Sequence, residues 1–162
     1  MSKEITPNLW FDGNAKDAVE FYVSVFPDSK IVTTEYYPNS EDEGLADFQK
    51  ELAGKVLTIE FELSGNHFVA INAGPEFKFN EAVSFSIPCE DQKEIDYYWD
   101  KLTSNGGQES KCGWLKDKYG FSWQVIPSNI GQLMTDPVKG PKAMQELLKM
   151  TKIEIEKLKN PK

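Results

Sequence analysis

The groups in this chain that could do chemistry are few: one histidine, two cysteines and a strand of alternating carboxylates. His67 beside Cys89 or Cys112 would form a nucleophile and base, provided the fold brings them together. His67 follows Ser64-Gly65-Asn66, a turn sequence where an exposed polar residue is ordinary, and Cys112 next to Gly113 and Trp114 reads as a small buried residue. Thr58, Glu60 and Glu62 alternate with Leu57, Ile59, Phe61 and Leu63, the two-residue period of a half-buried strand. If the polar face of that strand lines a cavity, Glu60 is a general base in a desolvated site. Charged strand faces usually meet solvent or a partner subunit, so the solvated or dimer-edge reading is preferred. Glu60 is still the strongest acid–base candidate.

The other candidates bind rather than react. Trp10 and Phe68 would offer flat apolar surfaces, and Asn8, Asn72, Ser84, Ser86 and Gln124 neutral hydrogen-bonding groups. Together they describe a pocket for an uncharged or weakly polar small molecule. No Gly-rich strand–turn–helix loop for a nucleotide-like cofactor is present; Gly106-Gly107 follows a predicted helix, and no cofactor is expected.

These residues need elements to hold them. Ile5–Phe11 reads as a strand. The helix after it has Asn14 as its cap and Ala15, Ala18, Val19, Tyr22, Val25 and Phe26 on one face. Lys30–Tyr37 is a strand, residues 39–54 are an acidic insert read as a loop rather than a flap, and Lys55–Leu63 with Phe68–Ala73 forms a hairpin. A second half starts with the strand Ala82–Pro88. Asp91 and Glu94 follow as a capping box, and Ile95, Tyr98, Trp99 and Leu102 form a helix face. Further strands run through Phe121–Ile126, and a last helix spans about 137–159 with Met144, Leu147, Leu148, Ile155 and Leu158 in one stripe. Ala18–Tyr22 matches Glu94–Tyr98 in pattern, and the same offset lays Leu9 and Phe11 on Phe85 and Ile87. The chain therefore reads as an α+β domain over 1–162, a duplication with one module over about 1–75 and the second over about 80–128.

Alternation then assigns faces. Leu9 and Phe11 should pack under the first helix, with Thr6, Asn8 and Trp10 opposite. Val83, Phe85 and Ile87 should pack under the second helix, with Ala82, Ser84 and Ser86 opposite. Trp123 and Val125 face the helix, with Ser122 and Gln124 opposite.

The totals exclude some classes. A net charge of −8 argues against a nucleic-acid partner, which requires concentrated Lys and Arg. No apolar run is long enough for a membrane span, and the N-terminus has no export pattern, so a cytoplasmic protein with reduced thiols is expected.

The stretches NLWFDGNAKDAVEFYVSVFPDSKI, FELSGNHFVAINAG, WLKDKYGFSWQVIP and AMQELLKMTKIEIEKL resemble successive blocks of the PhnB-like, demethylubiquinone methyltransferase-like group. That group lies in the glyoxalase/bleomycin-resistance, or vicinal-oxygen-chelate, superfamily. The resemblance implies paired βαβββ modules curled into a half-open cup, a homodimer, and, in the metal enzymes, four ligands from the strands. The ligand-equivalent positions here are Thr6 to Asn8, Phe68 or Val69, Ala82 and Gln124. None is a His, Glu, Asp or Cys, so no metal site is expected. Three functions remain: metal-independent binding of an unidentified small molecule, a lyase or isomerase using Glu60, or a non-catalytic dimeric scaffold.

Overall fold

The duplication is visible in the element order. The computed structural model describes residues 3, 5–39 and 44–162. The first half runs β1 (Asn8–Phe11), α1 (Ala15–Val25), β2 (Lys30–Tyr36), β3 (Val56–Leu63) and β4 (Asn66–Asn72). The second runs β5 (Ser84–Cys89), α2 (Gln92–Thr103), β6 (Gln108–Glu109), β7 (Trp114–Lys116) and β8 (Ser122–Pro127). The two sheets have the same order, β1-β4-β3-β2 and β5-β8-β7-β6, each with its first and last strands parallel and the rest antiparallel. The α+β reading and the two βαβββ modules therefore hold. The chain divides into two compact units at Lys78/Phe79, the second of which also contains three short helices, α3 (Ile130–Thr135), α4 (Gly140–Lys149) and α5 (Ile155–Lys159).

In the first unit, α1 lies on one face of its sheet. Ala15, Ala18, Val19, Tyr22 and Val25 are buried against Leu9, Phe11, Ile59, Phe61, Leu63 and Ala70. Burying large side chains such as Tyr22 and Phe61 contributes about 1.5–3 kcal/mol each. Ser64 and Gly65, at φ 47° and 77°, close the β3–β4 hairpin in two residues, the geometry that suits strand twist. Asn14 makes no capping bond through its side chain. The Asn72 carboxamide serves α1 instead, accepting from the Ala15 N–H at 3.5 Å and donating to the Val56 carbonyl at 2.9 Å.

In the second unit, Ile95, Trp99 and Leu102 of α2 are buried together with Ile87, Leu115, Trp123 and Val125. Asp91 caps α2 by accepting from the Glu94 N–H at 2.9 Å. The Glu94 carboxylate reaches back to the Glu90 N–H at 2.7 Å, one residue earlier than a capping box closes. Val83 was expected to pack inward, but it precedes β5 and is exposed.

The single C-terminal helix expected over about 137–159 is instead two helices, α4 and α5. Asp136 accepts from the Val138 and Lys139 N–H groups at 2.8 and 2.7 Å, which makes a turn before α4. Helix α4 stops because Met150 turns extended and the chain pairs elsewhere: the Met150 and Thr151 carbonyls accept from Cys112 and Gly113 at 2.9 and 2.8 Å. Gln92 fastens the next stretch, donating to the Ile153 carbonyl at 3.0 Å and accepting from the Ile155 N–H at 2.9 Å. The expected stripe is split accordingly, with Ile155 and Leu158 buried and Met144 and Leu148 exposed.

Gly113 is the tightest point of this docking. Its φ is +81°, and an added Cβ would lie 2.6 Å from the Val125 carbonyl oxygen and 2.8 Å from Ile153 Cδ1. Gly113→Ala is expected to cost more than about 2 kcal/mol, measured by urea unfolding; a loss below about 0.5 kcal/mol would refute this account.

Candidate functional site

In both units the face of the sheet turned away from its helix carries the polar side chains. In the first, β1 presents Asn8 and Trp10 there, in register with Val69 and Ile71 of β4, and β3 adds Thr58, Glu60 and Glu62. Asn8 is exposed and donates to the Thr6 carbonyl at 2.9 Å. The Trp10 indole donates to the Gly74 carbonyl at 2.8 Å, and its ring meets Phe77 edge-on with centroids 4.9 Å apart. Glu60 lies opposite Val69 and Thr33 and is exposed, so its strand does not supply the desolvated setting a general base would use. His67 faces Glu62 with Nε2 and Oε1 3.5 Å apart, and Glu62 also meets Lys30 at 3.2 Å.

Two expected pocket residues belong to the opposite face. The two-residue turn pairs Leu63 with Asn66 and hence Phe61 with Phe68, whose rings stack at 5.4 Å. Phe68 is therefore part of the layer under α1. So is Asn72, which is buried and bonded to Ala15 and Val56. The described part of the acidic insert forms a 3-10 turn over Asp47–Leu52; residues 40–43 lie outside the described residues. Glu51 and Leu52 wall a cavity of about 430 Å³ together with Asp12, Lys55, Gly74 and Glu76. Its carboxylates are exposed.

In the second unit the corresponding face is formed by Ser84 and Ser86 of β5, Ser122, Gln124 and Ile126 of β8, and Trp114 and Lys116 of β7. Gln124 donates through Nε2 to Ser84 Oγ at 2.9 Å, so two of the expected residues are joined directly. Ser122 sits between Ser84 and Lys116 in register. It is 1% exposed, and among the described residues its hydroxyl has no hydrogen-bond partner. An unpaired buried hydroxyl costs about 1–3 kcal/mol, so such groups are rare without a purpose. Lys116 Nζ meets Glu81 Oε1 at 2.5 Å, and this contact holds the Glu81 carboxyl below the usual carboxylate range. Lys116, Ser122 and Glu81 were missed as site residues. Opposite-face alternation already placed Ser122 there, and Lys116 would have followed from the turn at 117–120.

That turn is organised by Asp117, a buried carboxylate. Oδ1 accepts from the Tyr119 and Phe121 N–H groups at 2.8 and 3.1 Å, and Oδ2 from the Trp123 indole at 2.8 Å. Cys89 is fully buried, and burial together with the carboxylates of Glu94, Asp91 and Glu90 pushes its thiol up to about 12.

Repeated βαβββ units with parallel first and last strands define the glyoxalase/bleomycin-resistance type of fold. The sequence pattern of the 3-demethylubiquinone-9 3-methyltransferase family matches residues 3–126, and the chain belongs to that family. Among solved structures it is similar to the Bacillus cereus PhnB protein, a 3-demethylubiquinone-9 3-methyltransferase by description. That likeness has 33% identity and a TM-score of 0.64, over 76% of this chain and 99% of that one. A Pseudomonas aeruginosa protein matches with 20% identity and a TM-score of 0.57, over 78% of this chain and 98% of that one. The Mesorhizobium loti fosfomycin resistance protein FosX shares the fold at 10% identity and a TM-score of 0.55, over 84% and 99%. No curated protein matches the chain. Helices α3 to α5 lie beyond the family match.

The groups that superfamily and family name imply do not fit the residues present. Among the described residues no three His, Cys, Asp or Glu side chains gather as a metal site, and the sheet positions offer neutral Asn8, Ser84 and Gln124. The strand-to-helix turns are Asp12-Gly13-Asn14 and Glu90-Asp91, with one glycine between them, which is no cradle for a nucleotide-like methyl donor. No helix among the described residues is long and apolar enough to cross a membrane.

Two outcomes follow. Asp117→Ala leaves three donors unpaired and is expected to lower stability by about 2–4 kcal/mol in urea unfolding, with loss of near-ultraviolet signal from Trp123; an unchanged midpoint would contradict the role. Because burial raises the folded thiol of Cys89, its contribution to stability is complete below its ordinary value of 9.0 and is lost as pH rises towards about 12. Cys89→Ala should remove that alkaline component, and in the native wild type at pH 8 iodoacetamide should spare Cys89; stoichiometric labelling of Cys89 would be inconsistent with its burial.

Proposed function

We propose that this chain is a metal-independent small-molecule-binding protein whose ligand sits on the polar face of the second sheet. The observation that carries the reading is the partnerless hydroxyl of Ser122, buried beside the Ser84–Gln124 hydrogen bond. Polar atoms placed so, with Trp114 and Ile126 on the same face for apolar contact, are the composition of a binding surface. Sequestration of the ligand is the form of action that the resemblance to resistance-type proteins suggests. A cytoplasmic homodimer without nucleic-acid or membrane partners completes the proposal. Its supports are the net charge of −8 and the exposed Ile31, Val32 and Tyr36 along the edge strand β2, which a second copy would cover.

Thermal unfolding with a metabolite and antibiotic library, in the presence of EDTA, tests this. A specific ligand at a hundred times its Kd contributes about 2.7 kcal/mol, or roughly 5–10 °C for a chain of this size. Glu60→Gln should leave that shift unchanged. A library without any stabilising compound would sink the proposal, and turnover abolished by Glu60→Gln would replace it with the lyase or isomerase alternative.

A further inference from the structure

One end of the same face has a charge pattern that narrows the ligand. Ser84 begins β5, Ser122 begins β8 and Lys116 ends β7, so the three lie side by side across the sheet, all turned away from α2. Ser122 stands one strand spacing, about 4.8 Å, from Ser84 on one side and from Lys116 on the other, and the lysine side chain is long enough to bring its ammonium to a small group held by the two hydroxyls. Ser84 Oγ accepts from Gln124, which leaves its own hydrogen available to donate. Ser122 has a hydroxyl without any partner among the described residues. Lys116 brings three N–H donors and a positive charge. Two hydroxyl donors and an ammonium form a donor-rich, cationic corner, and its complement is a group that only accepts and carries negative charge.

A group of that kind already sits on the lysine. Glu81, in the segment before β5, places Oε1 2.5 Å from Lys116 Nζ, and its side chain is 63% exposed. An exposed ion pair of this kind is worth a factor of roughly two to five in an equilibrium constant, so a carboxylate held only by it is readily displaced.

We propose that the corner formed by Ser84, Lys116 and Ser122 receives an oxyanion group of the ligand, a carboxylate or a phosphate, and that Glu81 occupies Lys116 until that group displaces it. This rests on the small-molecule reading above and changes its chemistry, since neutral hydrogen-bonding residues alone suggested an uncharged ligand. Glu81 thereby acts as an internal competitor, setting how tightly an anion must bind to take its place.

The test uses the full chain with sodium acetate and inorganic phosphate as probes, at constant ionic strength against sodium chloride, followed by thermal unfolding and by NMR titration of backbone amides near Ser84 and Ser122. The expected result is a response above chloride to one probe: acetate identifies a carboxylate site, phosphate a phosphate site. Glu81→Gln should tighten that probe roughly two- to fivefold, the factor assigned to the lost pair. Lys116→Met should abolish the response, and Ser122→Ala should weaken it without lowering the melting temperature of the free protein. Should Lys116→Met fail to fold, Glu81→Gln carries the test, since it alters only an exposed side chain. No response above chloride in either wild type or Glu81→Gln overturns the proposal, as does a Glu81→Gln affinity equal to wild type. An affinity unmoved by Ser122→Ala also overturns it, because water alone then satisfies that hydroxyl. A neutral library compound that stabilises the protein while neither anion does overturns only this inference and leaves the binding function standing. Failure of both library and anions removes both.

Discussion

The buried carboxylate of Asp117 is the constraint on which the second unit depends. Three donors converge on it, two from the backbone of its own turn and one from the Trp123 indole. The backbone bonds hold the turn that leads from β7 to β8, and the indole bond ties Trp123 of β8 to the same carboxylate. With Trp123 fixed beneath α2, strand alternation leaves Ser122 and Gln124 no choice but the opposite face. The register Lys116↔Ser122 follows from the same turn. A slip of one residue would send Trp123 out and Ser122 in, and the polar corner would cease to exist.

The first unit solves the equivalent problem with different residues. Its β3–β4 turn is two residues long and needs no carboxylate, because Ser64 and Gly65 accept positive φ. Its long, paired strands β2 and β3 fix the register, whereas the second unit has only the two-residue β6 at the matching place. The shorter sheet needs other supports. It draws them from the C-terminal segment, where Gln92 and Gly113 secure residues 150–155. The helices beyond the family match are thus bound into the unit that carries the candidate site.

How much of this was legible in the sequence depended on whether the governing interaction was local. The period of Leu57–Leu63 gave the strand and its faces, and the offset between Ala18–Tyr22 and Glu94–Tyr98 gave the repeat, because both are patterns within one element. Phe68 and Asn72 were placed on the wrong face although Ser64-Gly65 contained the answer: a two-residue turn pairs Phe61 with Phe68 and puts both under α1. The C-terminal helix read as continuous because its apolar spacing runs on through Met150. What breaks it is a pair of hydrogen bonds from Cys112 and Gly113, far away in the chain. The ion pair of Lys116 with Glu81 spans a similar gap and leaves no periodic trace.

That pair also reconciles an acidic protein with an anion site. A chain of net charge −8 repels anions in general, but at physiological ionic strength charges more than about 8 Å apart are largely screened. The local balance at the corner then decides. A lone half-buried ammonium beside two hydroxyls would attract any small anion in the cell. Paired with Glu81, the corner is neutral, so a small anion binds there only by displacing a carboxylate and more weakly than it would bind a free Lys116. A ligand that also covers Trp114 and Ile126 gains apolar contact in addition, so displacement of Glu81 favours a molecule with both an anionic end and an apolar body. Selectivity would then arise from the competition between Glu81 and the ligand's own charge, with the apolar remainder deciding the outcome.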